Sequence, residues 1–279
     1  VTPYLDDAVD TRPLAGGTHH RVWLATQPDG SRVVVKATPG APPGMFEAEA
    51  EGLDALRGSG MVATPRVFDV AADFLVLDAL EPLPGPEDAG FWERAGRALA
   101  GLHSIGNDRF GWDHDNWLGP LRQLNPWTED CYEFFARNRI LRYLGEPAVA
   151  AVLTAPQRAA IERICSRLPQ LVPPARPALT HGDLWRGNLL STSDGELAVI
   201  DPAVSWSWPE TDLSMLLFSG APVPDRLFAA YHEIRPAEPG WRDHLLVLHL
   251  RELLCVLSQS ETLVPGTTRR VLDLIHRYG

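Results

Sequence analysis

His181-Gly182-Asp183-Leu184-Trp185-Arg186-Gly187-Asn188 sets an aspartate and an asparagine five positions apart, with a histidine two residues before the aspartate. Thirteen residues beyond Asn188, the apolar run Leu197-Ala198-Val199-Ile200 ends on Asp201. H-x-D-x-x-x-x-N followed by a strand-terminal Asp is the spacing of a phosphoryl-transfer catalytic loop and its metal-binding partner. The residue types suit that chemistry, which needs an oxygen nucleophile held in line and charge neutralised on the phosphates. Asp183 is expected to orient a hydroxyl and accept its proton. Asn188 and Asp201 offer the hard oxygen ligands that Mg²⁺ takes. His181 reads as a brace for the loop rather than a proton carrier. The competing reading makes Asp183 and Asn188 ordinary turn residues, and it leaves Asp201 and Lys36 as coincidences.

Outward from this loop, the next informative residue is a cation. The positive charge of the chain comes from 24 arginines and one lysine, Lys36. A chain so biased toward arginine keeps a lysine where a compact ammonium works and a planar guanidinium does not. Val22-Trp23-Leu24-Ala25-Thr26 and Arg32-Val33-Val34-Val35-Lys36-Ala37 flank Pro28-Asp29-Gly30, so Lys36 falls near the end of the second strand of a β-hairpin. Helical spacing then runs from Met45 to Leu56, with Phe46, Ala50, Leu53 and Leu56 on one face. In a phosphotransferase of this kind the strand lysine contacts the α- and β-phosphates and pairs with a glutamate on the next helix. Glu49 is the favoured partner, because Leu53 and Leu56 anchor its helix while it faces the cleft edge. Glu47 and Glu51 are expected to be solvated.

Gly16-Gly17-Thr18-His19-His20 precedes the hairpin and would cover the phosphates, although it matches neither G-x-G-x-x-G nor a Walker loop. Val67–Ala71 and Phe74–Leu80 read as two more strands. Leu77-Asp78-Ala79-Leu80 is where a hinge would bind adenine through its backbone; an ordinary edge strand is the alternative. Pro82, Pro84 and Pro86 mark a linker. Helical patterns dominate beyond it: Asp88–His103, Pro126–Leu144, Pro156–Leu168, Glu210–Phe218, Asp225–Ile234, Trp241–Ser258 and Thr267–Tyr278. The expected architecture is α+β, a protein-kinase-like two-lobe fold. A small β-rich lobe with one main helix spans residues 1–80, a hinge 81–87, and a larger, mostly helical catalytic and substrate-binding lobe 88–279.

Composition excludes several partners. At a formal charge of −11 the surface repels nucleic acid and anionic lipid. No apolar run approaches membrane-spanning length. Val1-Thr2-Pro3-Tyr4 lacks the regions of a signal peptide and a starting Met, which reads as a trimmed or processed end. Cys131, Cys165 and Cys255 form no C-x-x-C and no even framework, so a reducing cytoplasm is expected. A monomer or weak homodimer is expected. No G-x-S-x-G or H-E-x-x-H speaks for a hydrolase.

The chain resembles the fructosamine kinase (ketosamine-3-kinase) family, within the aminoglycoside-phosphotransferase-like kinases. The matching stretches include Val35-Lys36, Met45-Phe46-Glu47-Ala48-Glu49, Leu99-Ala100-Gly101-Leu102-His103, Phe110-Gly111-Trp112-Asp113, His181-Gly182-Asp183-Leu184-Trp185, Gly187-Asn188, Asp201-Pro202-Ala203-Val204, and Glu210 with Asp212-Leu213. The resemblance implies ATP- and Mg²⁺-dependent phosphorylation of a sugar hydroxyl on a ketosamine, of the fructosamine or ribulosamine type. It puts Trp185 beside the substrate and Asp115-Asn116 in a stretch lining the acceptor side; packing under the loop and a plain turn are the alternatives. Departures fall on the acceptor side. Ser205-Trp206-Ser207-Trp208 replaces two tyrosines and a glycine, and Arg251-Glu252-Leu253-Leu254-Cys255 replaces an N-H-x-N cluster that faces the substrate. Trp206 and Trp208 either wall an acceptor pocket or pack on the helix that starts near Glu210, and Glu252 is a candidate substrate contact. The acceptor stays open: an aminoglycoside or another amino sugar is an alternative, and so is a nucleotide-binding protein without transferase activity.

Overall fold

The computed structural model describes residues 2–14, 20–260 and 263–279. Gly16 and Gly17 lie outside them. The small lobe holds α1 (Pro3–Asp6), β1 (Asp10–Pro13), β2 (Arg21–Thr26), β3 (Arg32–Ala37), α2 (Met45–Gly58), β4 (Val67–Ala71) and β5 (Phe74–Asp78). Its strands form one antiparallel sheet in the order β1-β2-β3-β5-β4. The two-residue period of β3 sorts its side chains by face. Val33 and Val35 pack with Ala25 and Val76. Val34 turns to the opposite layer, with Phe46, Leu53, Leu75 and Leu77, and Lys36, two residues on, follows it beneath α2. Phe46, Glu49, Leu53 and Leu56 form the buried stripe of that helix. The period that faces its leucines to the sheet therefore delivers one carboxylate to the buried lysine.

The large lobe runs through α3 (Ala89–Leu102), β6 (Asn116–Leu118), β7 (Leu121–Gln123), α4 (Cys131–Phe135), α5 (Pro147–Val152), α6 (Ala155–Ser166), α7 (Leu168–Leu171), β8 (Ala178–Thr180), β9 (Leu189–Ser191), β10 (Leu197–Val199), β11 (Ser205–Ser207), α8 (Glu210–Phe218), α9 (Asp225–Ile234), α10 (Trp241–Leu248), α11 (Leu250–Gln259) and α12 (Val264–Tyr278). Helix α3 meets α9 closely at Gly96, where a Cβ would stand 2.2 Å from the Leu227 carbonyl oxygen. The two lobes touch directly: a Cβ at Gly52 of α2 would reach Pro202 Cγ at 3.1 Å. Among the described residues, no helix is long and apolar enough to cross a membrane.

Several elements differ from the sequence expectation. The run 126–144 is not one helix. Its α-helical part starts at Cys131, because the Asp130 carboxylate accepts the N–H groups of Tyr132 and Glu133 and so caps it. A widened turn at Ala136–Ile140 and a tighter one at Leu141–Gly145 follow. The run 241–258 divides at His249 into α10 and α11. Four three-residue strands, β6, β7, β8 and β11, were not anticipated, since so short a segment shows no measurable period.

Candidate active site

Strand β8 pairs with β11, and β9 pairs with β10. The chain between β8 and β9 is the loop that carries His181, Asp183 and Asn188. Gly182 has φ 81°, and a Cβ there would lie 2.0 Å from the Ala203 carbonyl oxygen, so glycine is required. His181 Nε2 donates to the Ile200 carbonyl at 2.9 Å, and its Nδ1 accepts the Asp183 N–H at 3.2 Å. The imidazole thereby joins the loop to the chain leading into Asp201. Asn188 Nδ2 donates to the Asp183 carbonyl at 2.8 Å and to Asp183 Oδ2 at 3.0 Å. Asp201 itself is held at φ 58°, a left-handed conformation seen at no other described non-glycine residue.

Lys36 joins the lobes. Its ammonium donates to both oxygens of Glu49 at 2.7 Å and to Asp201 Oδ1 at 2.9 Å. Burial opposes a charged lysine, but the Asp201 and Glu49 carboxylates outweigh it and hold the pKa above the ordinary value. For Asp201 the balance runs the same way: burial would raise its pKa, and the Lys36 ammonium pulls it below the usual range. For Asp183 the Arg251 charge pulls the pKa down but does not prevail. Burial first, and the Glu252 charge second, push its carboxyl up to about 8.

Lys36, Glu49, Asp183, Asn188 and Asp201 line one cleft that is open to solvent, together with Trp185 and Asn116. The remaining candidates are placed as follows. Asn116 is buried, and its amide is engaged by the Val204 carbonyl, Gln123 and Asn125. Asp115 faces a neighbouring groove, accepting the Asn125 N–H at 2.7 Å and pairing with Arg122 at 3.0 Å. Trp206 does not line the cleft; its ring centroid lies 6.1 Å from that of Trp112. Trp208 is 1% exposed and packs between Tyr132 and Phe135. Leu77 is core, and the N–H of Asp78 is used by the Arg66 carbonyl; neither these two nor Leu80 lines the cleft. Glu252 stands half-buried on the first turn of α11.

Behind the loop lies a support that sequence reasoning assigned no role. The Asp212 carboxylate accepts the backbone N–H of His181 at 2.7 Å and of Gly182 at 2.9 Å. His103 Nε2 reaches the same carboxylate at 3.2 Å, and its Nδ1 lies 2.9 Å from the Tyr231 hydroxyl. Burial would raise the Asp212 pKa, yet His103 and the backbone donors hold it below the carboxylate range. Among the described residues no group of three or more His, Cys, Asp or Glu side chains is gathered to hold a metal.

A five-stranded antiparallel lobe with one long helix, a lysine clasped by that helix, and an Asp–Asn loop facing a second aspartate define a protein-kinase-like phosphotransferase. Within that class the chain belongs to the fructosamine kinase family, whose model matches residues 6–263. A probable ketoamine kinase from Synechocystis sp. is 36% identical over 216 residues, 75% of this chain and 71% of that protein. One from Thermus thermophilus is 35% identical, with 85% and 86% covered. The crystal structure of a provisionally assigned fructosamine-3-kinase from Thermobifida fusca superposes with a TM-score of 0.82 at 34% identity, covering 95% of this chain and 94% of that one. The fold alone extends to an aminoglycoside phosphotransferase, with a TM-score of 0.66 at 13% identity, over 97% of this chain and 95% of the other.

Proposed function

We propose that the protein transfers the γ-phosphoryl group of ATP, in the presence of Mg²⁺, to a sugar hydroxyl of a small-molecule ketosamine of the fructosamine or ribulosamine type. One observation carries this reading: the Lys36 ammonium spans Glu49 and Asp201, and the Asp183–Asn188 pair opens onto the same cleft. In this reading Lys36 binds the α- and β-phosphates and Glu49 keeps its ammonium aimed. The backbone of Leu77-Asp78-Ala79-Leu80 is assigned to adenine, and Gly16-Gly17 to the phosphates.

The donors at the cleft suit Mg²⁺. The Asp201 carboxylate, whose side chain is 38% exposed, and the Asn188 amide are hard oxygen ligands. Asp201 and Asn188 would hold the ion, with phosphate and water supplying the remaining ligands. When bound, Mg²⁺ neutralises charge that builds on the phosphates. Asp183 orients the acceptor hydroxyl and takes its proton as the new P–O bond forms. Asp212 and His181 keep the loop carrying it in place. The relatives named as ketoamine kinases support the acceptor class.

The test is phosphate transfer to a ribulosamine and a fructosamine, side by side, with and without Mg²⁺. Transfer to at least one of them, dependent on the metal, is expected. Strong phosphorylation of aminoglycosides and none of either ketosamine would replace the acceptor class.

A further inference from the structure

The β6–β7 hairpin is a wall of the catalytic cleft: Asn116, Trp117, Leu118 and Gly119 line it together with Asp183 and Trp185. Its two strands pair only with each other. An isolated two-stranded ribbon is marginal in water, so side chains must fasten this one to the lobe. At its tip, Gln259 Nε2 donates to the Leu118 carbonyl at 3.2 Å. At its base, the cross-strand partners Asn116 and Gln123 bind the chain that runs on from Asp201. Asn116 Nδ2 donates to the Val204 carbonyl at 2.8 Å, and Gln123 Nε2 to the Ala203 carbonyl at 2.9 Å. The Ala203 N–H in turn donates to the His181 carbonyl at 2.8 Å. The wall is thereby tied to the strip of backbone that carries Asp201 and binds the loop of Asp183.

The way the Gln123 amide faces decides this geometry. Arg251 Nη2 donates to Gln123 Oε1 at 2.9 Å. A guanidinium only donates, so the amide oxygen must face α11. Both hydrogens of Nε2 are then left for Asn116 Oδ1 and the Ala203 carbonyl, each at 2.9 Å. Flipped, the amide would set N–H groups against a guanidinium and an oxygen against two oxygens. Arg139 acts alike on Asn125: its Nη2 donates to Asn125 Oδ1 at 2.7 Å, and Asn125 Nδ2 donates to Asn116 Oδ1 at 3.2 Å. Two donors thus meet Asn116 Oδ1, which leaves its Nδ2 to Val204. Gln123, Asn125, Arg139 and Arg251 are each between 2% and 4% exposed. Water does not readily replace a bond lost there, so each is felt nearly in full.

We propose that Gln123 is a positioning residue for phosphoryl transfer. Oriented by Arg251, it holds the hairpin wall in register with Asp183 and Asp201, so that an acceptor seated against the wall brings its hydroxyl to Asp183. Gln123 does not line the cleft; it acts through Asn116 and the hairpin. The inference rests on the sugar-amine reading above for the identity of the acceptor. Misplacing a reacting group by an ångström costs about 10²-fold in rate. The nucleotide, assigned to Lys36 and Asp201, does not depend on the hairpin.

Transfer to a ketosamine, acceptor-independent ATP hydrolysis and nucleotide affinity, measured on the same preparations, separate positioning from folding. Gln123→Met keeps the length of the side chain and removes its three hydrogen bonds. It should lower kcat/KM for the acceptor by about 10- to 100-fold, with KM raised as well as kcat lowered, and leave hydrolysis and nucleotide affinity within about threefold of wild type. Gln123→Glu keeps an acceptor for Arg251 but loses both donors, and should show the same split. Arg251→Lys, which still donates to Gln123, should recover most of the transfer that Arg251→Met loses. Losses of transfer and nucleotide affinity in equal proportion would make the network structural only and overturn the proposal. Wild-type transfer in either Gln123 variant or in Arg251→Met would overturn it too, and the sugar-amine reading survives all of these results. A wild type that phosphorylates no ketosamine overturns that reading, and this inference with it.

Discussion

Asp183 and Asp212 flank the same turn of chain, one in front of it and one behind, and their carboxylates meet opposite surroundings. Asp212 is fully enclosed, but two backbone N–H groups and an imidazole point at it. Among the described residues Asp183 has one side-chain donor, Asn188, and it lines the cleft. Accordingly the first carboxyl sits below its ordinary pKa and the second rises to about 8. Burial acts on both in the same direction, so the donors and the neighbouring charges decide the outcome. A satisfied buried anion holds structure in place, and an unsatisfied one is held in readiness for something absent.

The largest effect should come from removing the front carboxylate. Asp183→Asn is expected to lower kcat by about 10³-fold or more, in the range of a lost general base, with nucleotide affinity within about threefold of wild type by titration. Near-normal turnover would show that the front carboxylate does no chemistry. Next comes Asp212→Ala, which strands the N–H groups of His181 and Gly182 and the His103 ring in a dry site. A loss of about 3–5 kcal/mol is expected from the urea midpoint. A loss under about 1 kcal/mol would put the two carboxylates on the same footing.

Stability against pH sharpens the contrast, because the two residues work in opposite directions. The folded pKa of Asp183, about 8, exceeds the ordinary aspartate value of 3.8. Its contribution to folding is therefore fully present below 3.8 and is lost as pH rises through about 8. The folded pKa of Asp212 is depressed from 3.8, so its contribution is present above that value and is lost as pH falls through the lowered one. In the absence of nucleotide and metal, Asp183→Asn should be about 1–2 kcal/mol more stable than wild type at pH 8, with the gain vanishing near pH 4. A variant less stable than wild type at pH 8 would reverse the assignment.

The same pair shows how far a sequence can be read. Asp183, Asn188 and Asp201 fall within 19 residues, and the spacing that declares them is local. Lys36 and Glu49 were legible because hairpin and helix periods fix which way each points. The partners of Asp212 lie 30, 31 and 109 residues away, so no local period could reveal its role. The fold divides likewise. The strand at Arg32–Ala37 and the start of α2 at Met45 follow from alternation and turn residues. The three-residue strands β8 and β11 exist only through pairing 25 residues apart, as in Thr180 with Ser205. Trp206 and Trp208 offered two readings, and core packing settled Trp208 in the interior.

The smallest effect expected is on α2, where the same rule operates with water present. Glu49 and Glu51 are two residues apart. Glu49 is buried and accepts two bonds from Lys36, whereas Glu51 stays exposed while meeting Trp112 Nε1 and His114 Nε2, each at 3.1 Å, across the lobe junction. Both carboxylates thus contact the large lobe or its bound lysine, and geometry alone would rank them as near equals. Solvent separates them: water replaces whatever Glu51 loses, and an exposed ion pair is worth well under 1 kcal/mol. Glu51→Gln, which keeps an acceptor for the indole, should shift stability by about 0.5 kcal/mol or less and leave kcat within about twofold. Glu49→Gln should cost several times more stability, because Lys36 then keeps only Asp201 as a counter-ion in a dry site. Equal losses from the two variants in parallel urea titrations would mean that contact across the lobe junction, rather than desolvation, sets the value of a carboxylate here.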